Sequence, residues 1–132
     1  MLVKKIKYTS FDGVEYEEEF RFNITKAEIA KLELSYAGGL QGKIQNMIDA
    51  KDQVELAKLF NEIIRISYGE KTPDGKSFIK RRNGVDLGEL FEQTAAYDVL
   101  YWELLSDEKA AADFIKAVLP KEDEVRDKPT IA

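Results

Sequence analysis

The stretch that decides the fold lies near the start of the chain and reads Leu2-Val3-Lys4-Lys5-Ile6-Lys7-Tyr8, followed after a short break by Val14-Glu15-Tyr16-Glu17-Glu18-Glu19-Phe20-Arg21-Phe22. In both runs apolar or aromatic residues alternate with charged ones, which is the period of a strand with one buried face. Asp12-Gly13 between the runs is a hairpin signal. The sequence therefore predicts an N-terminal β-hairpin over residues 1–22.

The register of this hairpin depends on the length of its loop. A two-residue loop at Asp12-Gly13 would set aromatic residues opposite glutamates and mix the two faces. A three-residue loop, Phe11-Asp12-Gly13 with its glycine in the left-handed conformation, pairs apolar with apolar and basic with acidic residues. The pairs it sets are Leu2–Phe22, Lys5–Glu19, Lys7–Glu17 and Tyr8–Tyr16. We predict this loop, with Lys4 and Glu18 as polar exceptions near the rim of the apolar face.

Beyond residue 24 the apolar residues recur with the helical period, which predicts about five helices. A capping box of Thr25 and Glu28 opens the first helix, which turns Ile29 and Leu32 inward and ends near Tyr36. The other segments run from about Leu40 to Ala50, from Asp52 to a cap at Gly69, from Asp86 to Leu105 with a bend or break at Gln93-Thr94, and from Ser106 to a stop at Pro120. Their predicted buried faces are Leu40, Ile44, Met47 and Ile48; Leu56, Leu59, Phe60, Ile63 and Ile64; Leu87, Leu90 and Phe91; and Ala110, Ala111, Phe114, Ile115 and Val118.

These elements predict a mostly helical α+β fold, in which the hairpin packs on a bundle of about five helices. We expect a single globular domain over residues 1–120, with the hairpin at 1–22 and the helical part at 24–120. Residues 70–84 are predicted to form a loop with an internal turn at Thr72-Pro73-Asp74-Gly75. Residues 121–132 are rich in charge and have no apolar face, so we expect a disordered tail.

Composition excludes several classes of function. The 132 residues include no cysteine and no histidine, which removes disulfides, thiolate nucleophiles, Cys-based zinc sites and the commonest general base. With 20 Lys and Arg against 25 Asp and Glu the net charge is −5, and the one dense basic run, Lys80-Arg81-Arg82, stands alone, so we expect no nucleic-acid partner. No apolar stretch approaches the roughly 20 residues of a membrane span and no signal peptide is visible, so we expect an intracellular protein with no membrane partner.

Two motifs look like chemical sites without meeting their requirements. The run from Gly69 to Ser77 has five residues, not four, between its first glycine and Gly-Lys-Ser, and it follows a predicted helix where a phosphate loop follows a strand. Of the glutamates in residues 15–19, strand alternation turns Glu18 away from the other three, and nearby lysines satisfy the exposed ones. This indicates a salt-bridged outer face and not a metal or acid–base cluster. We therefore predict no catalytic residue, no cofactor, no metal site and no small-molecule substrate.

Residues 97–105 are the candidate interaction segment. Seven of its nine positions are apolar or aromatic: Tyr97, Val99, Leu100, Tyr101, Trp102, Leu104 and Leu105. A helix that is apolar all round must be covered on all sides. Either it is the central helix of the bundle, or part of its surface meets another chain, with Tyr97, Tyr101 or Trp102 as partner-binding candidates because tyrosine and tryptophan are favoured at binding hot spots.

Two stretches carry a family resemblance. Residues 66–80 read Ile-Ser-Tyr-Gly-Glu-Lys-Thr-Pro-Asp-Gly-Lys-Ser-Phe-Ile-Lys, and residues 91–97 read Phe-Glu-Gln-Thr-Ala-Ala-Tyr, continuing through Leu104 to residues 110–115 and Pro120. In these stretches the chain resembles the tail assembly chaperones of long-tailed (siphovirus-type) bacteriophages. The resemblance covers most of residues 8–120.

The resemblance implies a protein made in the cytoplasm of the infected bacterial host and absent from the finished particle. Such chaperones are thought to coat the tape-measure protein, keep it soluble and recruit tail-tube subunits to polymerise around it. Many are made in two forms by a programmed ribosomal frameshift, and the segment after Pro120 is where two forms of this chain would diverge. The family has no catalytic residues to carry over, and self-association stays open.

Other classes of function remain as alternatives. One is a minor structural component of the particle, such as a tail-completion or head–tail joining protein. Another is an acidic inhibitor of a host defence protein, although most acidic residues here are interleaved with lysines. An enzyme would have to depend on carboxylates, lysine or tyrosine alone, and no pair of them is marked out by its spacing.

Overall fold

A computed structural model describes residues 1–35 and 53–120, together with the single positions 42, 46 and 49. The strands are β1 (Leu2–Thr9), β2 (Glu15–Phe22), β3 (Tyr68–Lys71) and β4 (Phe78–Ile79), in the sheet order β1-β2-β3-β4, and a separate pair, β5 (Arg81–Arg82) with β6 (Val85–Asp86). The helices are α1 (Lys26–Ser35), α2 (Gln53–Ser67), α3 (Leu87–Glu92), α4 (Ala95–Ser106) and α5 (Glu108–Val118). The predicted α+β, mostly helical fold is confirmed. The helix predicted over about 40–50 and the tail predicted at 121–132 lie outside the described residues.

The predicted register of the N-terminal hairpin is confirmed. Tyr8 lies opposite Tyr16 and Leu2 opposite Phe22. Gly13 has a φ of 83°, the left-handed conformation that the three-residue loop requires. The ion pairs differ in one detail, because Lys5 and Lys7 both reach Glu17, at 3.3 and 3.5 Å.

The two polar exceptions on the inner face of the hairpin have partners of their own. The Lys4 ammonium lies 3.2 Å from a carboxylate oxygen of Glu103 on α4. The Tyr8 hydroxyl donates to the carboxylate of Glu18, and this bond raises the pKa of Tyr8 to about 12. Lys4 is therefore paired where the hairpin meets α4, and Glu18 is bonded within the inner face of the hairpin.

The prediction for residues 69–84 is wrong in part. Gly69 does not cap a helix, because α2 ends at Ser67 and the chain continues directly into β3, which pairs with β2. A Cβ at Gly69 would lie 2.7 Å from the carbonyl oxygen of Ile79, so the glycine permits the close approach of β4. The predicted turn is confirmed as the tip of the β3–β4 hairpin, where the Gly75 amide donates to the Thr72 carbonyl at 2.9 Å.

Helix starts follow the predicted N-terminal caps closely. The Thr25 and Glu28 capping box is present, with bonds of 2.9 and 3.2 Å, and Asp86 caps α3. The break predicted at Gln93-Thr94 separates α3 from α4, and Thr94 caps α4. The last helix begins after Asp107, which caps it, so the predicted start at Ser106 is one residue early.

A single apolar cluster joins the hairpin to the helices. Phe22 is fully buried at its centre and makes edge contacts with Phe91 on α3 and Phe114 on α5. The predicted inward residues of α2 and α5 are buried or half-buried. Leu90 departs from the prediction, because it stays exposed while its neighbour Phe91 fills the core.

Lys80 ties three segments together at the base of the sheet. Its ammonium donates to the carbonyl oxygens of Asn23 and Ile66 and to the Glu28 carboxylate, each at 2.7 Å. Burial lowers the pKa of Lys80, against the opposing effect of Glu28. Burial alone would raise the pKa of Glu28, but the hydrogen bonds from Lys80 and Thr25 outweigh it and the net pKa is lowered. The three bonds use every ammonium proton, so this junction is fully satisfied.

Candidate partner-binding surface

The helix that is apolar all round is α4, and the structure covers only part of it. Ala96, Leu100 and Leu104 are buried against β1 and the neighbouring helices. Val99 and Trp102 are exposed on the opposite side. The helix is thus central to the packing and still presents apolar side chains at the surface.

Tyr97 and Tyr101 lie together where α4 faces α2. Their rings stack with centroids 5.4 Å apart and planes 12° from parallel. The Tyr97 hydroxyl donates to the Asn61 side chain, and the Tyr101 hydroxyl donates to the Ala57 carbonyl at 2.9 Å. Burial, with Glu92 nearby, raises the pKa of Tyr97 to about 12, and burial also raises the pKa of Tyr101. Both hydroxyls therefore stay protonated near neutral pH and remain donors to α2.

An open groove runs between α2 and α4 beside these rings. Its volume is about 620 Å³. An apolar floor and a polar rim line it: Val54, Ala57, Tyr97 and Tyr101, with Gln53, Lys58, Asn61 and Glu92. From Gln53 to Asn61 the α2 wall extends about 12 Å, or roughly two helical turns. Since the tyrosine hydroxyls are already bonded within the protein, the rings offer mainly apolar surface to the groove.

Trp102 lies on a different side of α4 from the two tyrosines. It follows Tyr101 by one residue and is therefore turned by about 100° around the helix axis. Its side chain is 69% exposed, although it is the one tryptophan of the chain. The three candidate residues thus form a stacked pair at a groove and a separate exposed ring beside it.

The tip of the N-terminal hairpin is a second exposed apolar site, which the sequence analysis did not single out. Phe11 is 84% exposed, and Val14 and Tyr16 are about half exposed. The signal was available, because a phenylalanine inside a predicted three-residue turn has no neighbouring element to cover it.

The charged groups that drew attention in the sequence are paired within the chain. Besides Lys80, Arg82 lies 2.7 Å from Glu70 and Arg81 lies 3.9 Å from Asp86. Within residues 1–35 and 53–120, no three acidic side chains gather closely enough to hold a metal ion. None of the helices in these ranges is both long and apolar enough to span a membrane.

Comparison with protein families gives a match that covers nearly the whole chain. The sequence profile of the phage tail assembly chaperones matches residues 1–128. The chain belongs to the phage tail assembly chaperone family. Comparison with curated proteins and with solved structures finds no match.

Membership of the tail assembly chaperone family gives the exposed surfaces of this chain a context. A tail assembly chaperone acts on other proteins in the host cell, so protein partners are expected. Among the described residues, the tyrosine-lined groove, Trp102 and the hairpin tip are exposed apolar surfaces.

Proposed function

We propose that this chain is a non-catalytic chaperone that binds the tape-measure protein and brings tail-tube subunits to it, in the cytoplasm of the infected host. The chain leaves before the particle is complete. The observation that carries the proposal is Trp102, a large exposed aromatic ring beside a tyrosine-lined groove in a member of the tail assembly chaperone family.

The groove between α2 and α4 suits an amphipathic helix. A helix-in-groove complex buries apolar anchors spaced three or four residues apart, and two turns of groove accommodate two or three such anchors. Val54, Ala57 and the two tyrosine rings supply the apolar floor, and Lys58 and Glu92 supply charges at the rim. A tape-measure protein, as a long amphipathic helical chain, offers many segments of this kind.

Trp102 extends the contact surface beyond the groove. Tryptophan carries large binding energies at interfaces because one side chain removes much apolar area from water. Val99 lies three residues earlier on the same exposed side of α4 and widens the apolar strip. A partner helix that crosses α4 would cover both residues.

Co-expression with the tape-measure protein of the same phage tests the proposal. We expect the wild-type chain to keep the tape-measure protein soluble and to co-purify with it. Trp102→Ala should lower the recovered tape-measure protein about tenfold, the effect of losing a hot-spot residue. Ala57→Arg should lower it too, by placing a long charged side chain in the groove.

Phe11→Ala is the matched control, because it removes an exposed aromatic ring at the hairpin tip, outside the α2–α4 groove. A loss with Phe11→Ala as large as that with Trp102→Ala would place the contact at the tip instead. Circular dichroism of each variant checks that the fold is kept. Equal recovery with wild type, Trp102→Ala and Ala57→Arg would exclude this surface as the binding site. Finding the chain in purified particles by mass spectrometry would favour the alternative of a structural tail component.

A further inference from the structure

Strand β1 is an open edge of the sheet. Among the described residues β1 has a single neighbouring strand, β2, and no backbone bond joins its other edge to any residue. Exposed strand edges carry unpaired N–H and C=O groups and are ready templates for another extended chain.

The odd-numbered residues of β1 present these free groups. The Ser10 amide donates to the Val14 carbonyl at 2.8 Å, and hydrogen-bonded and non-bonded pairs alternate along an antiparallel ladder. Even-numbered residues of β1 therefore bond to β2, and Val3, Lys5, Lys7 and Thr9 direct their backbone groups outward. The Asn23 amide, which donates to Ser67 at 2.7 Å across the other edge of β2, agrees with this alternation.

A groove lies beside the first half of the open edge. It lies between residues 2–5 of β1 and helix α5, with a volume of about 540 Å³. On its helical wall, Ala110, Ala117 and the edge of the buried Phe114 ring alternate with the charged Lys109 and Asp113. An extended chain bonded to the edge would place alternate side chains against this wall and the others on the outer face of the sheet.

We propose that the β1 edge accepts an extended segment of a partner protein whose apolar side chains face α5 and whose acidic side chains face outward. On the outer face of the hairpin the edge strand β1 carries Lys5 and Lys7, whereas the glutamates that balance them, Glu15, Glu17 and Glu19, lie on β2, one strand away from the open edge. Of the other charges that line the groove, Lys4 pairs with Glu103 and Lys109 with Asp113, and Asp107 accepts bonds from the first amides of α5. An added strand meets the two outward lysines directly, so acidic residues opposite them are favoured.

The same charges disfavour a second copy of this chain as the occupant. An antiparallel pairing of β1 with β1 that centres on Lys5, or places Lys5 opposite Lys7, sets lysine against lysine. Like charges directly opposite each other destabilise a strand pair. The site is separate from the α2–α4 groove and does not depend on its role.

Nuclear magnetic resonance of the full chain with two capped eight-residue peptides tests the site. One peptide alternates valine with glutamate and the other alternates valine with lysine. We expect the acidic peptide to bind about tenfold more tightly than the basic one, because only its charges complement the edge. Amide shifts should appear along β1 and α5, and exchange of the Val3, Lys5, Lys7 and Thr9 amides should slow.

Two variants separate charge from backbone pairing. Lys5→Glu with Lys7→Glu should reverse the preference toward the basic peptide, whereas Lys26→Glu with Lys76→Glu, an equal change of charge at exposed positions outside the groove, should leave it intact. Lys5→Pro removes an outward amide while keeping the bonds to β2, and should abolish binding of both peptides. If Lys5→Pro fails to fold, the charge reversal still decides.

Three results would overturn the proposal. The first is equal binding, or no binding, of the two peptides at millimolar concentration. The second is protection of the outward β1 amides in the free protein at every concentration, which would assign the edge to a segment of the same chain. The third is protection that grows with protein concentration, which would assign it to a second copy.

Discussion

The sheet contains two hairpins that are held in place by different means. The β1–β2 hairpin has eight residues in each strand, and its pairing is specified by an alternating side-chain pattern along the whole ladder. The β3–β4 hairpin has strands of four and two residues, too short for such a pattern. It depends on a glycine that admits close backbone contact and on Lys80, which anchors the chain just beyond β4.

The difference between the two hairpins predicts which single substitutions will lower the stability of the fold most. In a long ladder many weak side-chain pairs specify the pairing together, so the loss of one pair lowers stability only a little. A short hairpin concentrates its specificity in a few contacts with distant parts of the chain. The four predictions below test this contrast.

Of the four predictions, the one with the largest expected loss of stability concerns Gly69. A Cβ there would lie 2.7 Å from both the Ile79 carbonyl oxygen and the Phe78 ring, so the backbone of β4 must move. We expect Gly69→Ala to lower the free energy of unfolding by about 3 kcal/mol, as in other overpacked sites. Urea denaturation followed by circular dichroism measures it.

Gly13 in the long hairpin is the matched control. Nothing lies within 4 Å of a Cβ built there, and only its positive φ opposes a side chain. Gly13→Ala should cost about 1 kcal/mol, and Gly13→Asn less, because asparagine tolerates the left-handed conformation. Gly69→Asn, by contrast, should be no less destabilising than Gly69→Ala. Equal losses for alanine at the two glycines would contradict the contrast.

Lys80 is expected to give the second largest loss. Lys80→Met leaves the Asn23 and Ile66 carbonyls and the Glu28 carboxylate without their donor, which should cost about 2 kcal/mol. Lys80→Arg should also lower stability, because a planar guanidinium cannot reproduce three bonds from one nitrogen. Lys76→Met, at an exposed loop position, is the control and should change stability little. An unchanged urea midpoint for Lys80→Met would show that the junction is dispensable.

Glu28 should make stability depend on pH in the acidic range. Its pKa is lowered in the folded chain from the ordinary value of 4.5, so its contribution is complete above that value and is lost as the pH falls through the folded pKa. Glu28→Gln keeps an acceptor for Thr25 but loses the charge facing Lys80. We expect it to cost about 1 kcal/mol at neutral pH and clearly less at the most acidic pH at which the chain stays folded.

The Lys80→Met background provides the control for Glu28. With the ammonium gone, Glu28→Gln should cost much less at neutral pH, which a double-mutant cycle of urea midpoints would detect. A cost that stays the same at both pH values, or in both backgrounds, would assign the effect of Glu28 to its capping bonds alone.

The contrast between the two hairpins also explains which parts of the fold could be predicted from the sequence. The alternation around Lys5, Lys7 and Glu17 encodes the long hairpin locally, and its register was predictable. Tyr68-Gly69-Glu70-Lys71 has no comparable pattern of its own, and it becomes a strand because the edge of β2 is available and Phe78 packs against Gly69. That information lies in contacts between distant segments.

The candidate partner-binding surface, too, could be predicted only in part from the sequence. Composition alone marks Tyr97, Tyr101 and Trp102, because a helix with so many apolar residues exceeds what one buried face requires. Which of the rings is exposed depends on where α2, α5 and β1 pack around α4. A helix that is apolar all round has no periodicity that points to its free side.

The smallest effect is expected at Glu17, although it pairs with both outward lysines of β1. The Lys5 hydrogen bond, followed by the charges of Lys7 and Lys5, lowers the pKa of Glu17, but the group is exposed and screened by water. Glu17→Gln should therefore lower the urea midpoint only slightly, and the difference should vanish in about 1 M salt, where the Debye length is about 3 Å. Glu19→Gln is the control, because Glu19 lies opposite Lys5 without an ion pair in the described structure and should show no salt-dependent change. A loss at Glu17 as large as that at Lys80 would mean that the long hairpin, too, depends on single contacts.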